Sequence, residues 1–286
     1  MRVLVFGKTG QVATELQRQA PKDVILDVLG RDRADLSDPE ACAAVIMNST
    51  ADVVINAAAY TAVDQAEEEI DLATVINGAA PAAMAHASAA KGIPFIQIST
   101  DYVFDGSGQQ PWAMDATPAP LGIYGRTKLL GEEAVRAAGG VYVILRTSWV
   151  FSSHGANFVK TMLRLSETRD QLSVVTDQVG GPTAAADIAT ACLAIARTLH
   201  RDGAPSGTFH FAGQPDVSWA EFAREVFAQT KRDITVIDIP TSAYPTPAKR
   251  PANSRLDCTG LEAAFSIKRP DWRASLTDVL KELKVI

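Results

Sequence analysis

The stretch "RVLVFGKTGQVATELQRQA" (residues 2–20) begins as an apolar strand, turns at two glycines and continues with the spacing of a helix. Gly7, Gly10 and Ala13 follow one another at three-residue intervals. Glycines at such a junction permit a tight turn and a close approach of the backbone, and the helix N-terminus can then face a pyrophosphate. The pattern therefore predicts a dinucleotide site, with a purely structural turn as the alternative.

The same alternation of apolar runs and helical segments continues through the first half of the chain. Strands are predicted at residues 2–7, 24–30, 51–58, 93–99 and 141–148. Continuously apolar strands separated by helices indicate a parallel sheet that is covered on both faces. The predicted fold class is α/β, a doubly wound (Rossmann) parallel sheet with a smaller C-terminal substrate-binding lobe, and ligands are expected beyond the carboxyl ends of the strands.

The second half of the chain is less regular. "LSVVTDQVGGPT" (172–183) and "GTFHFAG" (207–213) are predicted strands on either side of a helix, and a later helix has either Asp216 or Ser218 as its cap. The proline-rich stretch 240–257 is predicted to be a long loop, which favours a functional role or disorder. We expect a dinucleotide-binding domain of residues 1–150 and 180–213 and a substrate-binding lobe of residues 151–179 and 214–286.

Composition excludes several classes of protein. The chain has 286 residues, a net charge of −6 and 47% hydrophobic residues, so neither nucleic acid nor an anionic membrane is the expected partner. No apolar run approaches the roughly 18–20 residues of a membrane span, and the N-terminus is predicted to be a strand rather than a signal peptide. The three isolated cysteines favour a reduced interior. These features predict a cytoplasmic protein.

The end of the second strand bears on the choice of cofactor. NAD-preferring sites often place an acidic residue there for the ribose 2′-hydroxyl, whereas this strand ends in Gly30 and Arg31. Arg31 can pair with the 2′-phosphate of NADP, which favours NADPH. The alternatives are that Arg31 is a solvated surface charge and that Asp27 takes the acidic role with NADH.

Polar side chains cluster where the fourth strand ends. Ser99, Thr100, Asp101 and Tyr102 follow one another, and Tyr124 and Lys128 lie four residues apart on the next predicted helix. A lysine cation beside a tyrosine favours the phenolate and lowers the tyrosine pKa by roughly 1–3 units. A hydroxyl such as that of Thr100 can polarise the same carbonyl oxygen. The combination predicts a site that reduces a ketone by hydride transfer.

Seven segments follow one another in order: "GKTGQV", "NAAAYTAVD", "STDYVFDG", "YGRTK", "LRTSWVF", "NFVKTMLRL" and "PTSAYPTPAKRPANSRL". Together they resemble the motifs of the dTDP-4-dehydrorhamnose reductase family, a group of extended short-chain dehydrogenases/reductases. The resemblance implies reduction of the C4 ketone of dTDP-4-dehydro-L-rhamnose to dTDP-L-rhamnose with NADPH or NADH. It also implies a monomer or homodimer that takes a dTDP-linked deoxysugar as its substrate.

The resemblance further implies roles for individual residues. Tyr124 would be the proton donor, Lys128 its tuner and the anchor of the nicotinamide ribose, and Thr100 the third catalytic member. The cofactor would lie against the glycine turn, the end of the second strand and the end of the third: Gly10, Gln11 and Val12 at the pyrophosphate, Asp35 and Leu36 at the adenine, and Ala57, Ala58, Ala59 and Tyr60 along its passage.

For the substrate, the resemblance implies that Asp101 and Trp149 hold the deoxysugar, with Trp149 as an apolar wall. Arg250 would lie near the diphosphate or nucleotide, together with Asn253 and Ser254. Each has a simpler alternative, since Trp149 can be a core residue and Arg250 an exposed loop charge. The acidic run of Asp64, Glu67, Glu68 and Glu69 is expected to be a solvated helix face.

Metal binding is not expected. Some relatives hold magnesium between glutamates at a dimer contact, and Glu15 matches the first of these. The carboxylate expected after "GGPT" falls on Ala186, with Asp187 one residue away. Magnesium is therefore doubtful, and hydride transfer does not need it.

Two other functions compete with this one. The chain can be another nucleotide-sugar reductase or epimerase on the same fold, an alternative that the segment "RPANSRL" disfavours. It can also be a non-catalytic, NADP-binding regulatory subunit. A subunit of that kind has no need of Thr100, Tyr124 and Lys128 together, and all three are present.

Overall fold

The structure is a computed structural model that describes residues 1–202 and 205–286. Its strands, numbered along the chain, are β1 (Arg2–Phe6), β2 (Ile25–Leu29), β3 (Val53–Asn56), β4 (Phe95–Thr100), β5 (Tyr142–Thr147), β6 (Val150–Phe151), β7 (Gln171–Val175), β8 (Val179–Gly180), β9 (Thr183–Ala184), β10 (Gly207–His210), β11 (Val217–Ser218), β12 (Thr235–Ile239) and β13 (Asn253–Ser254). The five strands predicted in the first half are thus confirmed.

The helices are α1 (Gln11–Gln19), α2 (Pro39–Asn48), α3 (Ile70–Thr74), α4 (Ala80–Lys91), α5 (Ile123–Ala137), α6 (Phe158–Leu165), α7 (Ala185–Asp202), α8 (Trp219–Thr230), α9 (Thr259–Phe265) and α10 (Trp272–Glu282). Between α3 and α4 the chain makes one π-helical turn, Val75–Ala79. Short 3₁₀ turns lie at Gln65–Glu67, Asp101–Val103 and Thr241–Ala243.

Six strands form one parallel sheet in the order β10-β5-β4-β3-β1-β2. Successive residues of a strand point to opposite faces, so Val3 and Val5 pack under α1 and α7 while Leu4 and Phe6 pack under α2 and α4. Helices cover both faces, as predicted for a doubly wound sheet. The order reverses between β1 and β3, and ligands bind in the crevice at such a point.

The C-terminal half adds smaller sheets and a second apolar cluster. The cluster joins Phe151, Val174, Phe222 and Trp272, from four separate stretches of chain. The predicted strand 172–183 is instead three short strands, β7, β8 and β9. The polar Asp177 and Gln178 and the run Gly181-Pro182 interrupt it, since Pro cannot donate to a ladder.

The loop 240–257 is held against the rest of the fold by backbone pairing. Within it, β13 pairs with β8, and Leu256 bridges to Trp112. Of the two possible caps for α8, Ser218 is the one used: it exchanges hydrogen bonds with Glu221 in a capping box, and Asp216 pairs with Arg269.

No helix in residues 1–202 and 205–286 combines the length and the apolar character needed to cross a membrane.

Candidate active site

The carboxyl ends of β4 and β5 and the start of α5 meet at one edge of the sheet. Thr100 and Thr147 end these strands side by side in register. Tyr124 lies in the first turn of α5, and its hydroxyl lies near that of Thr100. The Tyr102 ring meets the Tyr124 ring edge-on, with centroids 5.4 Å apart.

The start of α5 is held by a distant carboxylate. Gly122 precedes the helix and has no side chain to cap it, so Glu67 Oε1 accepts the Ile123 N–H at 2.8 Å. At Gly125 a Cβ atom would lie 2.1 Å from the Tyr102 carbonyl oxygen, so only glycine allows the helix to pack this close. These two contacts set the position of Tyr124.

Burial controls the proton chemistry of the Tyr124–Lys128 pair. Burial raises the pKa of Tyr124 well above its ordinary value, more than the Thr100 hydrogen bond lowers it. Lys128 Nζ donates to the Ile98 carbonyl at 2.7 Å, and burial lowers the pKa of Lys128 to about 8. Burial thus has the largest effect on the pKa of Tyr124 in this geometry, and the predicted lowering by Lys128 stays a prediction.

The glycine turn has the form that a dinucleotide needs. Gly7 has a positive φ of 104° and lies against the backbone of Ala57 and Ala58, where a Cβ would approach to 3.2 Å. Gly10 precedes α1 without a side-chain cap, and a Cβ there would meet nothing closer than 4.0 Å. The first N–H groups of α1 have no partner within the helix, so the turn leaves both space and donors for a pyrophosphate.

The other predicted cofactor residues lie at the adjoining strand ends. Ala57, Ala58, Ala59 and Tyr60 follow β3 and are half-buried. Asn77, in the π-helical turn, exchanges hydrogen bonds with the Tyr60 backbone and donates to Thr127 on α5 at 3.2 Å. One buried amide therefore joins this segment to the helix of Tyr124.

Arg31 and Asp27, the two residues near the end of β2 that could bind the cofactor ribose, differ in whether their charge is already paired. Arg33 pairs with Asp27 at 2.8 Å, whereas the exposed Arg31 makes no hydrogen bond or ion pair with another residue of the described ranges. Asp35 accepts the Ser37 N–H at 2.9 Å, and the Leu36 side chain is buried in the core. Leu36 thus has only its backbone and the edge of its side chain to offer an adenine.

On the substrate side, Ser254 and Trp149 meet at Gly180, and the Asp101 carboxylate lies near the Ser254 hydroxyl. A Cβ on Gly180 would lie 2.9 Å from the Ser254 Cβ and 3.0 Å from the Trp149 ring. Burial raises the pKa of Asp101 to about 6, against the lowering effect of the Ser254 and Thr100 hydroxyls. Trp149 has a positive φ of 49° and stacks on Trp219 with centroids 3.6 Å apart. Such backbone strain in a tryptophan is typical of functional sites.

Arg250 reaches the site from the loop 240–257. Its Nη2 pairs with Asp64 Oδ2 at 2.6 Å, and the loop backbone is held to the same carboxylate through Ala248 N–H at 3.1 Å. The Asn253 amide is used within the loop region, donating to the carbonyls of Ser107 and Gln110 and accepting from Arg255. Arg250 and Ser254 are therefore better placed than Asn253 to meet a ligand.

Buried polar atoms without a partner mark the same region. Within the described ranges there are four such side-chain atoms, and three of them belong to Asp101, Thr147 and Arg250. Buried polar groups are normally paired, so each exception calls for an explanation. Asp101 and Thr147 lie at the carboxyl ends of β4 and β5, where a ligand is expected to bind.

Glu15, the residue that matches a magnesium ligand of some relatives, lies in a different contact. Glu15, His154 and Glu282 bring ligand atoms within 4.8 Å of one another. Arg18 lies among them, 2.8 Å from Glu15 and 2.5 Å from Glu282, and its guanidinium balances their charge. Asp187 instead accepts a hydrogen bond from Ser275 at 2.7 Å. The donor set fits this guanidinium rather than a magnesium ion, and no chemistry is assigned to a metal here.

Several residues of the site are not evident from the local sequence. The acidic run was expected to face solvent, yet Asp64 holds Arg250, Glu67 holds the start of α5, and Glu69 accepts from the Tyr60 hydroxyl at 2.8 Å. Asn77 also went unassigned. No local pattern distinguishes these residues, because each acts on a segment remote in sequence.

A doubly wound sheet with a glycine turn after β1 and a Thr–Tyr–Lys set at its edge defines a pyridine-nucleotide reductase of the short-chain type. The chain matches the RmlD substrate binding domain family over residues 1–285. It is 47% identical over 281 residues to the dTDP-4-dehydrorhamnose reductase of Sinorhizobium fredii, covering 96% of this chain and 95% of that one. To the Escherichia coli K12 enzyme it is 40% identical over 293 residues, covering 99% and 98%.

Solved structures agree with these relatives. A dTDP-4-dehydrorhamnose reductase from Clostridium acetobutylicum superposes with a TM-score of 0.93 at 38% identity, covering 99% of this chain and 100% of that one. The Bacillus anthracis enzyme in complex with NADP gives 0.92 at 34% identity, covering 98% and 99%. The chain belongs to the dTDP-4-dehydrorhamnose reductase family.

Proposed function

We propose that the chain catalyses the NADPH-dependent reduction of the C4 ketone of dTDP-4-dehydro-L-rhamnose, which yields dTDP-L-rhamnose. The observation that carries the proposal is the meeting of Thr100, Tyr124 and Lys128 at the sheet edge, in a chain of this family. A cytoplasmic location and a monomeric or homodimeric state belong to the same proposal.

The residues of the site divide the chemistry between them. Bound NADPH supplies the hydride. Tyr124 donates a proton to the developing C4 alkoxide. A phenol is already protonated at neutral pH, and burial raises the pKa of Tyr124 further. Thr100 donates a hydrogen bond to the same oxygen, and the Lys128 cation stabilises the phenolate left on Tyr124.

The substrate is proposed to lie between the sheet edge and the C-terminal lobe, residues 151–179 and 214–286. The Trp149 ring, backed by Trp219, offers an apolar wall to the deoxysugar, and Asp101 and Ser254 offer polar contacts. The partnerless Nη1 of Arg250 is suited to a diphosphate oxygen. A buried apolar cluster around Phe222 and Trp272 supports the separate lobe.

We propose that NADPH is preferred over NADH, with Arg31 as the group that meets the 2′-phosphate. Arg31→Ala is expected to weaken NADPH binding about tenfold or more, because a charge-assisted hydrogen bond is worth about 1.5–3 kcal/mol. NADH binding is expected to change little. Fluorescence titration of each cofactor measures both effects.

Arg33→Ala is the matched control, because Arg33 is two residues away and already paired with Asp27. An equal loss of NADPH affinity in both variants, or an equal loss of NADH affinity in Arg31→Ala, contradicts the assignment.

The proposed function itself is tested by NADPH oxidation with dTDP-4-dehydro-L-rhamnose, with the UDP-linked 4-keto-6-deoxy sugar run in parallel. Turnover that strongly favours the dTDP substrate is expected. Turnover only with the UDP sugar indicates another nucleotide-sugar reductase. NADPH binding without turnover of either indicates a regulatory subunit.

A further inference from the structure

Glu132 is a buried acid with no direct part in the proposed proton and hydride transfer. It lies on α5 four residues after Lys128 and eight after Tyr124, so the three share one face of the helix. Its exposed fraction is 0%, whereas the neighbouring Glu133 is exposed. A carboxylate is costly to bury unless it is paired.

Both carboxylate oxygens of Glu132 accept hydrogen bonds. Oε1 accepts from Ser99 Oγ at 2.6 Å and from Arg146 Nε at 2.9 Å, and Oε2 accepts from Arg146 Nη2 at 2.6 Å. Arg136 adds a longer contact of 3.3 Å. The contacts fasten α5 to β4 through Ser99, the residue before Thr100, and to β5 through Arg146. One side chain thus fixes the helix of Tyr124 and Lys128 relative to the strand of Thr100.

Lys128 needs a nearby negative charge. Its side chain is 4% exposed, and the hydrogen bond it donates goes to a neutral carbonyl, that of Ile98. Burial lowers its pKa to about 8, and the charge of Glu132 opposes that lowering. The Arg146 guanidinium holds the pKa of Glu132 below its ordinary value against the effect of burial, so the negative charge persists at neutral pH.

We propose that Glu132 is a positioning residue for the reduction: its carboxylate locks α5 to β4 and β5 and keeps the buried Lys128 protonated at neutral pH. The role of Lys128 in this statement rests on the proposed function.

Among the described residues, no other charged group around α5 replaces Glu132 in this role. Arg146 and Arg136 are cations. Burial lowers the pKa of His210, beside Arg146, to about 4, which leaves it neutral. Asp101 lies beyond Tyr124 with its pKa raised by burial to about 6, and Glu67 is committed to the first N–H of α5.

The direction of the expected pH shift follows from the protonation state of Lys128. Lys128 acts as a cation, so NADPH affinity and kcat/KM are expected to fall as the pH rises through its pKa. Glu132→Gln keeps the shape of the side chain and removes its charge, so the buried ammonium loses its proton more easily. The midpoint of this alkaline fall is expected to move down by about one pH unit.

The experiment measures the pH dependence of NADPH binding by fluorescence and of kcat/KM by NADPH oxidation, across the neutral and alkaline range. Glu133→Gln is the matched control and is expected to leave both profiles unchanged. Glu132→Gln/Arg146→Met removes the guanidinium that the single variant leaves buried and unpaired, and so relieves the main cause of instability. A purely structural role predicts that this double variant regains the wild-type midpoint. The proposal predicts a midpoint that stays below the wild-type value, by less than in Glu132→Gln, because the Arg146 cation is lost together with the carboxylate.

The possible outcomes distinguish failure of the inference about Glu132 from failure of the proposed function. A lowered midpoint in both Glu132 variants supports the inference. A wild-type midpoint in either variant that folds overturns it. If Glu132→Gln does not fold, the double variant decides alone. A wild-type chain that binds NADPH but reduces no ketone overturns the proposed function only, because the binding profile still tests Glu132.

Discussion

Tyr124→Phe is expected to lower kcat for ketone reduction by about a thousandfold, while the dissociation constant of NADPH stays within a few-fold of the wild-type value. The substitution removes the hydroxyl that lies near Thr100 and retains the ring that packs edge-on against Tyr102. Without this proton donor, the C4 oxygen develops negative charge with only a hydrogen bond from Thr100 to stabilise it. NADPH oxidation measures turnover, and fluorescence titration measures cofactor binding.

Tyr142→Phe is the control for this experiment. Tyr142 begins β5, at the end of the strand opposite Thr147, and its substitution removes a hydroxyl remote from the site. It is expected to leave kcat unchanged. If Tyr124→Phe retains more than about a tenth of wild-type kcat, the proton comes from elsewhere. Tyr102, whose pKa burial raises to about 12, is then the next candidate.

Arg250→Met is expected to raise KM for the dTDP-sugar by roughly 10–100-fold, with a smaller change in kcat and none in NADPH affinity. The guanidinium has one nitrogen, Nη2, paired with Asp64 and another, Nη1, buried without a partner. A nucleotide diphosphate is the ligand that supplies oxygens for such a group. Asp64 is 41% exposed, so the loss of its partner leaves a hydrated carboxylate and the chain still folds.

Lys249→Met is the matched control, because it removes an exposed positive charge one residue away in the same loop. Its KM is expected to remain near the wild-type value. Equal effects of the two variants indicate general electrostatic attraction of the substrate, and an unchanged KM in Arg250→Met removes Arg250 from the binding site.

Local sequence patterns were enough to predict the main segments that form the site. The turn at Gly7 and Gly10, the strand ending in Thr100 and the helix that carries Tyr124 and Lys128 are each contained in a short stretch of sequence. Their meeting follows from a topological rule, because the carboxyl ends of parallel strands lie along one edge of the sheet. The prediction for 172–183 was wrong in detail because polar residues and a Gly-Pro pair break an apolar stretch that otherwise resembles one strand.

Local pattern did not predict how charges pair. Asp64 and Glu67 belong to a run that resembles a solvated helix face, yet Asp64 meets Arg250, 186 positions further along, and Glu67 meets Ile123. Glu132 and Glu133 are identical neighbours, and only the packing of α5 against the sheet buries the first and exposes the second.

By itself, the sequence determined the doubly wound fold and the glycine turn and predicted the Thr100, Tyr124 and Lys128 set, because periodicity, glycine geometry and strand topology are local or follow from simple rules. Only the tertiary structure decided which carboxylate holds which cation, where α5 begins, and that burial governs the pKa of Tyr124 and Lys128. The strength of a charge interaction depends on distance and on exclusion of water, and both arise only when remote segments pack together.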